Sequence, residues 1–192
     1  MSDTKNILLV GVGGQGIILA SKILSSGLIN AGYDVKMSEV HGMAQRGGSV
    51  TTQVRFGEEV YSPIIGKGQA DIIVAFEQME AERWIDYLKP NGKLVISDYT
   101  IPSVPVLTGE VDYPKEIIED LKQKADTVII KSAKLAKELG NIRTQNIIML
   151  GSLIKSMELE EIDWEKVIKN SIKSKYVDIN IEAFTIGKEL ID

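Results

Sequence analysis

The chain contains no cysteine and only one histidine among its 192 residues. Without thiolates it can form no disulfide, hold no cysteine-ligated iron–sulfur cluster and use no cysteine nucleophile. A single imidazole is also too few for a multi-histidine zinc site. These chemistries are therefore excluded from this chain.

Long apolar runs and strong charge are missing as well. No stretch approaches the roughly 20 apolar residues of a membrane-spanning helix, and the first six residues lead into a short apolar run without a signal-type cleavage region. A net charge of −5 argues against nucleic-acid binding through bulk charge. With 44% hydrophobic and 26% charged residues, we expect one cytoplasmic globular domain over residues 1–192, without nucleic-acid or membrane partners.

Strand-like and helix-like apolar patterns alternate along the chain. Strands are predicted at 7–10, 34–39, 49–56, 70–76, 93–98 and 127–131, and helices at 17–29, 79–88, 115–124, 133–139, 144–157, 163–175 and 178–191. Residues 57–62 predict a hairpin that follows the third strand. The alternation favours a three-layer, Rossmann-like α/β domain with a mostly parallel sheet, one antiparallel hairpin and a helical C-terminal segment.

A glycine-rich turn follows the first predicted strand. Residues 11–16 (GVGGQG) match the G-x-G-x-x-G pattern between a strand and a helix. The glycines let an anionic group approach the backbone, and the helix N-terminus offers N–H groups to a phosphate. The same glycines can also serve only to pack the helix against the strand. The pattern therefore predicts either a phosphate-bearing ligand or a structural turn.

A nicotinamide enzyme with such a turn needs an acid at the end of the second strand to hold a ribose. Asp34 lies early in that predicted strand, and Glu39 lies near its end, where the strand runs into the next loop. The ribose acid is thus ambiguous, and the sequence offers no clear partner for hydride transfer. We regard a bound dinucleotide as weakly supported.

The segment after the second strand combines groups that bind and groups that react. Residues 39–49 (EVHGMAQRGGS) contain the histidine, a glutamine, an arginine and three glycines. Arg46 suits a carboxylate or phosphate, His41 a proton transfer, and Gln45 the orientation of a substrate. Alternatively, His41 caps a turn and Arg46 pairs with Glu39. We expect this loop beside the glycine turn, at the sheet edge where open α/β sheets bind ligands.

Three acids lie close together at the start of the predicted helix 79–88. Glu77, Glu80 and Glu82, together with Arg83, indicate a solvent-facing helix start stabilised by the helix dipole.

Together, the motifs resemble the gamma-type domain of the 2-oxoacid:ferredoxin oxidoreductases. The resemblance rests on the glycine turn, HGMAQRGG at 41–48, N-x-x-M-L-G at 146–151 and N-x-x-A-F-x-x-G at 180–187. It covers nearly the whole chain, and the histidine loop is far more specific than the glycine turn. Within the family, the chain is most similar to the small subunits of indolepyruvate enzymes.

The resemblance implies a division of labour between two chains. A large partner subunit would hold thiamine diphosphate, magnesium and iron–sulfur clusters, while a chain of this type covers the active-site cleft and carries no cofactor or metal. The complex would decarboxylate an aryl 2-oxoacid, form an acyl-CoA and reduce ferredoxin. This chain should therefore be inactive alone.

For the site, we expect a catalytic role for His41. The residues expected to contact the 2-oxoacid or coenzyme A, or to form the active-site edge, are Gly13, Gly14, Gln15, Gly16, Gln45, Arg46 and Gly47. The alternatives are a gamma subunit for pyruvate, 2-oxoglutarate or a branched-chain acid, an independent NAD- or flavin-binding reductase, and a ligand-free structural module.

Overall fold

A computed structural model describes residues 4–42 and 47–191. Its strands are β1 (Lys5–Val12), β2 (Asp34–His41), β3 (Ser49–Gly57), β4 (Ala70–Ala75), β5 (Leu88–Ser97) and β6 (Asp126–Ile130). Its helices are α1 (Ile17–Asn30), α2 (Gln78–Trp84), α3 (Val104–Leu107), α4 (Ile117–Lys124), α5 (Ser132–Glu138), α6 (Gln145–Ser156), α7 (Trp164–Ser171) and α8 (Val177–Glu189). Short 3₁₀ turns lie at Ile85–Tyr87, Ile142–Thr144 and Ser174–Tyr176.

The strands form one sheet in the order β2-β3-β1-β4-β5-β6. β1, β4, β5 and β6 pair in parallel, whereas β3 runs antiparallel to both β1 and β2. Every strand of this sheet except β3 therefore ends at the same edge, called here the carboxyl edge. The predicted fold class, a mostly parallel sheet interrupted by an antiparallel hairpin, is confirmed.

The predicted position of the hairpin is wrong. β3 pairs along its whole length with β2 and β1, and residues 60–62 form no strand. The N–H of Val60 instead donates to a carboxylate oxygen of Asp34 (2.8 Å), at the start of β2. Local β propensity suggested a partner next along the chain, but both edges of β3 are already paired, one with β2, which precedes it directly, and the other with β1.

Buried residues lie on both faces of the sheet, as a mostly parallel sheet requires. Along β1, Ile7 and Leu9 join the cluster that includes α1, α6, α7 and α8, whereas Leu8 and Val10 join the cluster that includes α4. This alternation explains why β1 is an unbroken apolar run. In the described part of the chain, no helix has the length and apolar character needed to cross a membrane.

The C-terminal helices α6 and α8 pack backbone against backbone. A Cβ added to Gly151 would lie 2.2 Å from the carbonyl oxygen of Phe184, and one added to Gly187 would lie 2.0 Å from that of Ile148. The Ser152 hydroxyl also donates to the carbonyl of Gly187 (2.9 Å). The two C-terminal sequence motifs therefore meet each other, and their glycines are needed for this contact.

Candidate functional site at the carboxyl edge

The glycine turn and the end of the histidine loop are joined by backbone hydrogen bonds. The N–H of Gly13 donates to the carbonyl of Gly48 (2.8 Å), and the N–H of Gly47 donates to the carbonyl of Gly13 (3.4 Å). The structure thus places the turn beside the loop, at the carboxyl edge. Gln45 and Arg46 lie outside the described residues.

A cavity of about 410 Å³ lies between the glycine turn and the end of β2. Its lining residues are Val12, Gly13, Gly14, Gly16, Ile17, Ile18, His41 and Val50. The side chains of this wall are apolar apart from the imidazole, and the glycines present only backbone. The cavity therefore suits a ligand that combines an apolar part with a group recognised by N–H donors.

Helix α1 begins at this cavity without a capping side chain. Its N-cap, Gly16, has a φ of 80°, no side chain bonds to the cap, and the first turn carries no acid. Gly14 has a φ of 105°, and a Cβ added to it would meet no atom of the described residues within 4 Å. Only glycine accepts this backbone without strain. The start of α1 therefore presents backbone N–H groups to the open side of the turn, as anion-binding turns do.

Gln15 faces inward and is only 5% exposed. Its Oε1 accepts the N–H of Val12 (2.7 Å), and its Nε2 donates to the carbonyl of Phe76 (2.6 Å). The amide thereby connects the end of β1 to the residue that follows β4. In the isolated chain this side chain holds the turn in place.

Asn146 contacts the same turn from α6, although the sequence analysis gave it no role in the site. It is 3% exposed, and its Nδ2 donates to the carbonyl of Gly16 (3.1 Å). Its Oδ1 is buried and has no hydrogen-bond partner among the described residues. The only signal that could have found it was its place in the N-x-x-M-L-G motif.

A second cavity, of about 400 Å³, adjoins Asn146. Its lining residues are Leu19, Asn141, Arg143, Thr144, Asn146, Ile172, Tyr176 and Asn180. A hydrogen bond from Lys175, aided by the charges of Lys175, Arg143 and Lys173, lowers the pKa of the Tyr176 phenol. Arg143 brings a positive charge to this opening, and the ammonium of Lys175 lies over the ring of Tyr176. The two asparagines that begin the C-terminal motifs both lie here.

The acids that follow β4 are buried, so the predicted solvent-facing helix start is wrong for Glu77 and Glu80. Glu77 is 1% exposed and accepts the N–H groups of Glu80 (3.0 Å) and Ile101 (3.1 Å) and the hydroxyl of Tyr113 (2.8 Å). The pKa of Tyr113 is raised, mainly because the phenol is buried and also because it donates a hydrogen bond to Glu77.

Glu80 is 4% exposed and extends the same buried network. It accepts the hydroxyl of Ser49 (2.6 Å) and pairs with Arg83 (3.1 Å). Ser49 is the first residue of β3 and directly follows the histidine loop. The two carboxylates thus support the carboxyl edge from inside.

The geometry of β2 does not fit the ribose of a dinucleotide. Asp34 lies at the opposite end of the strand from His41, where hydrogen bonds from Lys36 and from the N–H of Val60 lower its pKa. β3 also lies between β1 and β2, so their ends are two strand spacings apart, about 9–10 Å. Across residues 4–42 and 47–191, no group of three or more His, Cys, Asp or Glu side chains could hold a metal ion.

Comparison with known proteins identifies the same fold and related sequences. A family model described as "Pyruvate ferredoxin/flavodoxin oxidoreductase" matches residues 6–190. The indolepyruvate oxidoreductase subunit IorB of Thermococcus kodakarensis is 41% identical over 189 residues, covering 95% of this chain and 93% of that protein.

Two solved structures superpose over almost the whole chain. The gamma subunit of a keto/oxoacid ferredoxin oxidoreductase from Geobacter sulfurreducens gives a TM-score of 0.71 at 23% identity, with 97% of each chain covered. A 2-oxoglutarate:ferredoxin oxidoreductase from Magnetococcus marinus, solved with 2-oxoglutarate, coenzyme A and succinyl-CoA bound, gives 0.74 at 26% identity. That match covers 99% of this chain and 31% of the longer one.

Proposed function

Because the chain belongs to the pyruvate ferredoxin/flavodoxin oxidoreductase family, we propose that it is the small subunit of an oxidoreductase that decarboxylates indolepyruvate. The observation that carries this choice of substrate is the 41% identity to an indolepyruvate oxidoreductase subunit over nearly the full length of both chains. The similarity to the 2-oxoglutarate enzyme is lower, at 26%.

The proposal assigns the cofactor chemistry to a large partner subunit. That partner holds thiamine diphosphate, magnesium and iron–sulfur clusters, converts the 2-oxoacid to an acyl-CoA and passes electrons to ferredoxin. This chain has no cysteine with which to hold a cluster. Its contribution is to bind and position an anionic reactant at the carboxyl edge.

The carboxyl edge suits the anion of coenzyme A or of the 2-oxoacid. The uncapped start of α1 presents N–H groups beside a cavity of about 410 Å³. Gly13, Gly14, Gly16 and Gly47 keep the backbone free of side chains there, and Arg46 adds a guanidinium from the adjoining loop. A phosphate or carboxylate is stabilised both by helix N–H groups and by a bidentate arginine.

Replacing Arg46 tests this assignment. In the complex reconstituted with its large subunit, Arg46→Ala should raise the Michaelis constant for coenzyme A or for the 2-oxoacid by about ten- to a hundredfold, because charge-assisted bonds contribute roughly 1.5–3 kcal/mol each. Arg46→Lys should recover part of the loss, since lysine restores the charge but not the fork. Lys169→Ala, which removes one positive charge from α7, is the control.

Gel filtration of each variant complex separates binding from assembly. If Arg46→Ala assembles normally and leaves turnover and both Michaelis constants unchanged, the loop is structural and the site assignment is wrong.

His41 is proposed to move or stabilise a proton during turnover. It ends β2 and is exposed at the cavity, and within residues 4–42 and 47–191 its imidazole makes only a long contact to the neighbouring carbonyl of Gly42 (3.5 Å). His41→Ala should therefore lower turnover more than it weakens binding. If His41→Ala lowers turnover and binding equally, or lowers binding alone, then His41 contacts the ligand and does not act on a proton.

Two measurements address the alternative functions. When a panel of 2-oxoacids is tested on the reconstituted complex, kcat/KM should be highest for indolepyruvate. A higher kcat/KM for 2-oxoglutarate, pyruvate or a branched-chain acid would mean that the chain is a subunit of the enzyme for that acid. Calorimetry of the isolated chain with NAD and with flavin should show no binding. Micromolar affinity for either one would favour an independent reductase.

A further inference from the structure

An apolar surface projects from the carboxyl edge beyond β5. It lies on residues 99–114, called here the apolar strap, where Val104 is 71% exposed, Leu107 72% and Val111 54%. Tyr99, at the base of the strap, is 37% exposed. Single exposed apolar residues are ordinary, but several on one short segment indicate an interaction site.

The apolar strap is anchored near both ends and bonded within itself. Glu77, buried at the end of β4, accepts the N–H of Ile101 and the hydroxyl of Tyr113, and so fixes both ends of the strap. Within it, α3 begins with a proline in its first turn and is closed by bonds from the N–H groups of Leu107 and Thr108. The exposed side chains are thus preorganised, which lowers the entropic cost of binding a partner.

The charge of the apolar strap indicates what covers it. Residues 99–114 include Glu110 and Asp112 and no lysine or arginine. A complementary surface would be apolar in the centre and basic at its rim. The strap follows β5, two strands away from β1 in the sheet, so it faces the same way as the glycine turn. A chain that closes over the candidate site would also reach it.

We infer that the apolar strap is a docking element for the large, thiamine-bearing subunit, which contacts Val104, Leu107 and Val111 with an apolar surface edged by lysine or arginine. This inference rests on the proposed function. A stable interface buries about 1,200–2,000 Å² in total, so the strap forms one part of a larger contact. Its preorganised apolar side chains are of the kind that dominate binding energy.

The test compares two exposed apolar residues at opposite edges of the sheet. Leu107→Lys removes an apolar contact and adds a charge of the same sign as the expected rim, whereas Ile29→Lys makes the same change at the C-terminal end of α1, where Ile29 is 57% exposed. Affinity for the purified large subunit is measured by biolayer interferometry, after thermal melts have shown that both variants fold. Leu107→Lys should weaken binding at least about tenfold, and Ile29→Lys less than about twofold.

A second arm tests the charge. Glu110→Gln combined with Asp112→Asn should slow association and reduce its dependence on salt, because these acids steer a basic surface. If the salt dependence of the association rate is unchanged, the inference that the partner has a basic rim is overturned.

The remaining outcomes separate the possible failures. If the wild-type chain does not bind the large subunit, the proposed function fails. If the wild-type chain binds and Leu107→Lys binds equally well, the docking inference is overturned while the proposed function stands. If Leu107→Lys abolishes self-association of the isolated chain in sedimentation experiments but leaves the complex intact, the occupant is a second copy and the inference is again overturned.

Discussion

Glycines at the carboxyl edge and glycines between α6 and α8 have opposite surroundings. A Cβ added to Gly14 would meet nothing within 4 Å, whereas one added to Gly187 would overlap the carbonyl oxygen of Ile148 at 2.0 Å. Gly14 has a φ of 105°, which residues with a side chain rarely adopt. Gly187 is an ordinary residue of α8, and the space that a side chain would need there is filled by the backbone of Ile148.

The difference separates two reasons for a glycine in a motif. In the turn, glycine keeps the backbone bare and allows an unusual conformation, which is useful where a ligand approaches. Between helices, it allows two backbones to touch, which contributes only to packing. Both sets belong to sequence motifs of this chain, so a motif alone does not tell a site from a core contact.

The largest predicted effect is on the helix pair. Gly187→Ala should lower the free energy of unfolding by about 3 kcal/mol, because α6 and α8 must separate to admit the methyl group. For a chain of this size, that corresponds to a fall in melting temperature of roughly 6–12 °C.

Calorimetry of the isolated chain checks this value, with Gly42→Ala as control. No atom of the described residues lies within 4 Å of a Cβ added to Gly42, and its φ is not positive, so its replacement should change stability by less than about 0.5 kcal/mol. Equal effects at the two positions would end the distinction between packed and open glycines.

The next prediction tests whether the side chain of Gln15 holds the glycine turn in place. Gln15→Ala should destabilise the chain by about 1–3 kcal/mol, because it leaves the N–H of Val12 and the carbonyl of Phe76 buried without partners. Urea denaturation measures the change, and Gln123→Ala on the exposed face of α4 supplies the matched control. A neutral Gln15→Ala would mean that glycine packing alone fixes the turn.

Features of the fold that depend on residues close together in sequence were predicted well, and features that depend on residues far apart in sequence were not. Helical periodicity located α1 and α6, and the rule that ligands bind at strand ends placed His41 beside the glycine turn. The hairpin was misplaced because pairing of β3 with β1 joins segments about 40 residues apart and leaves no local pattern.

The internal polar contacts were beyond prediction for the same reason. Glu77 accepts hydrogen bonds from Ile101 and Tyr113, which lie 24 and 36 residues further along the chain. Asn146 reaches Gly16 across 130 residues. Acids at a helix start and an asparagine in a helix look alike in sequence whether they are solvated or buried.

A smaller change in stability should come with a change in binding at the open glycine. Gly14→Ala should cost about 1–2 kcal/mol of stability through backbone strain alone, since no neighbour obstructs the methyl group. In the reconstituted complex it should also raise a Michaelis constant, because the methyl group stands where a ligand would meet the backbone. If both Michaelis constants stay at the wild-type values, the turn is structural in the same sense as the helix pair.

The smallest effect is expected where the two regions meet. Asn146 lies in the first turn of α6 and donates to the carbonyl of Gly16, which also accepts the N–H of Ala20 (3.1 Å). Asn146→Ala therefore leaves that carbonyl with a partner and should cost only about 0.5–1.5 kcal/mol, the net value of one hydrogen bond.

Hydrogen exchange should locate this small loss at the start of α1, with faster exchange of the Ala20 N–H, which donates to the carbonyl of Gly16, and unchanged exchange in α8. Asn146→Asp makes the complementary test: it keeps the shape but sets a carboxylate against the carbonyl of Gly16, so it should destabilise the chain more than alanine does. A loss with Asn146→Ala as large as that of Gly187→Ala, spread over both α1 and α8, would show that the turn and the helix pair form one cooperative unit. The conformation of the glycine turn would then depend on the same packing that holds α6 against α8.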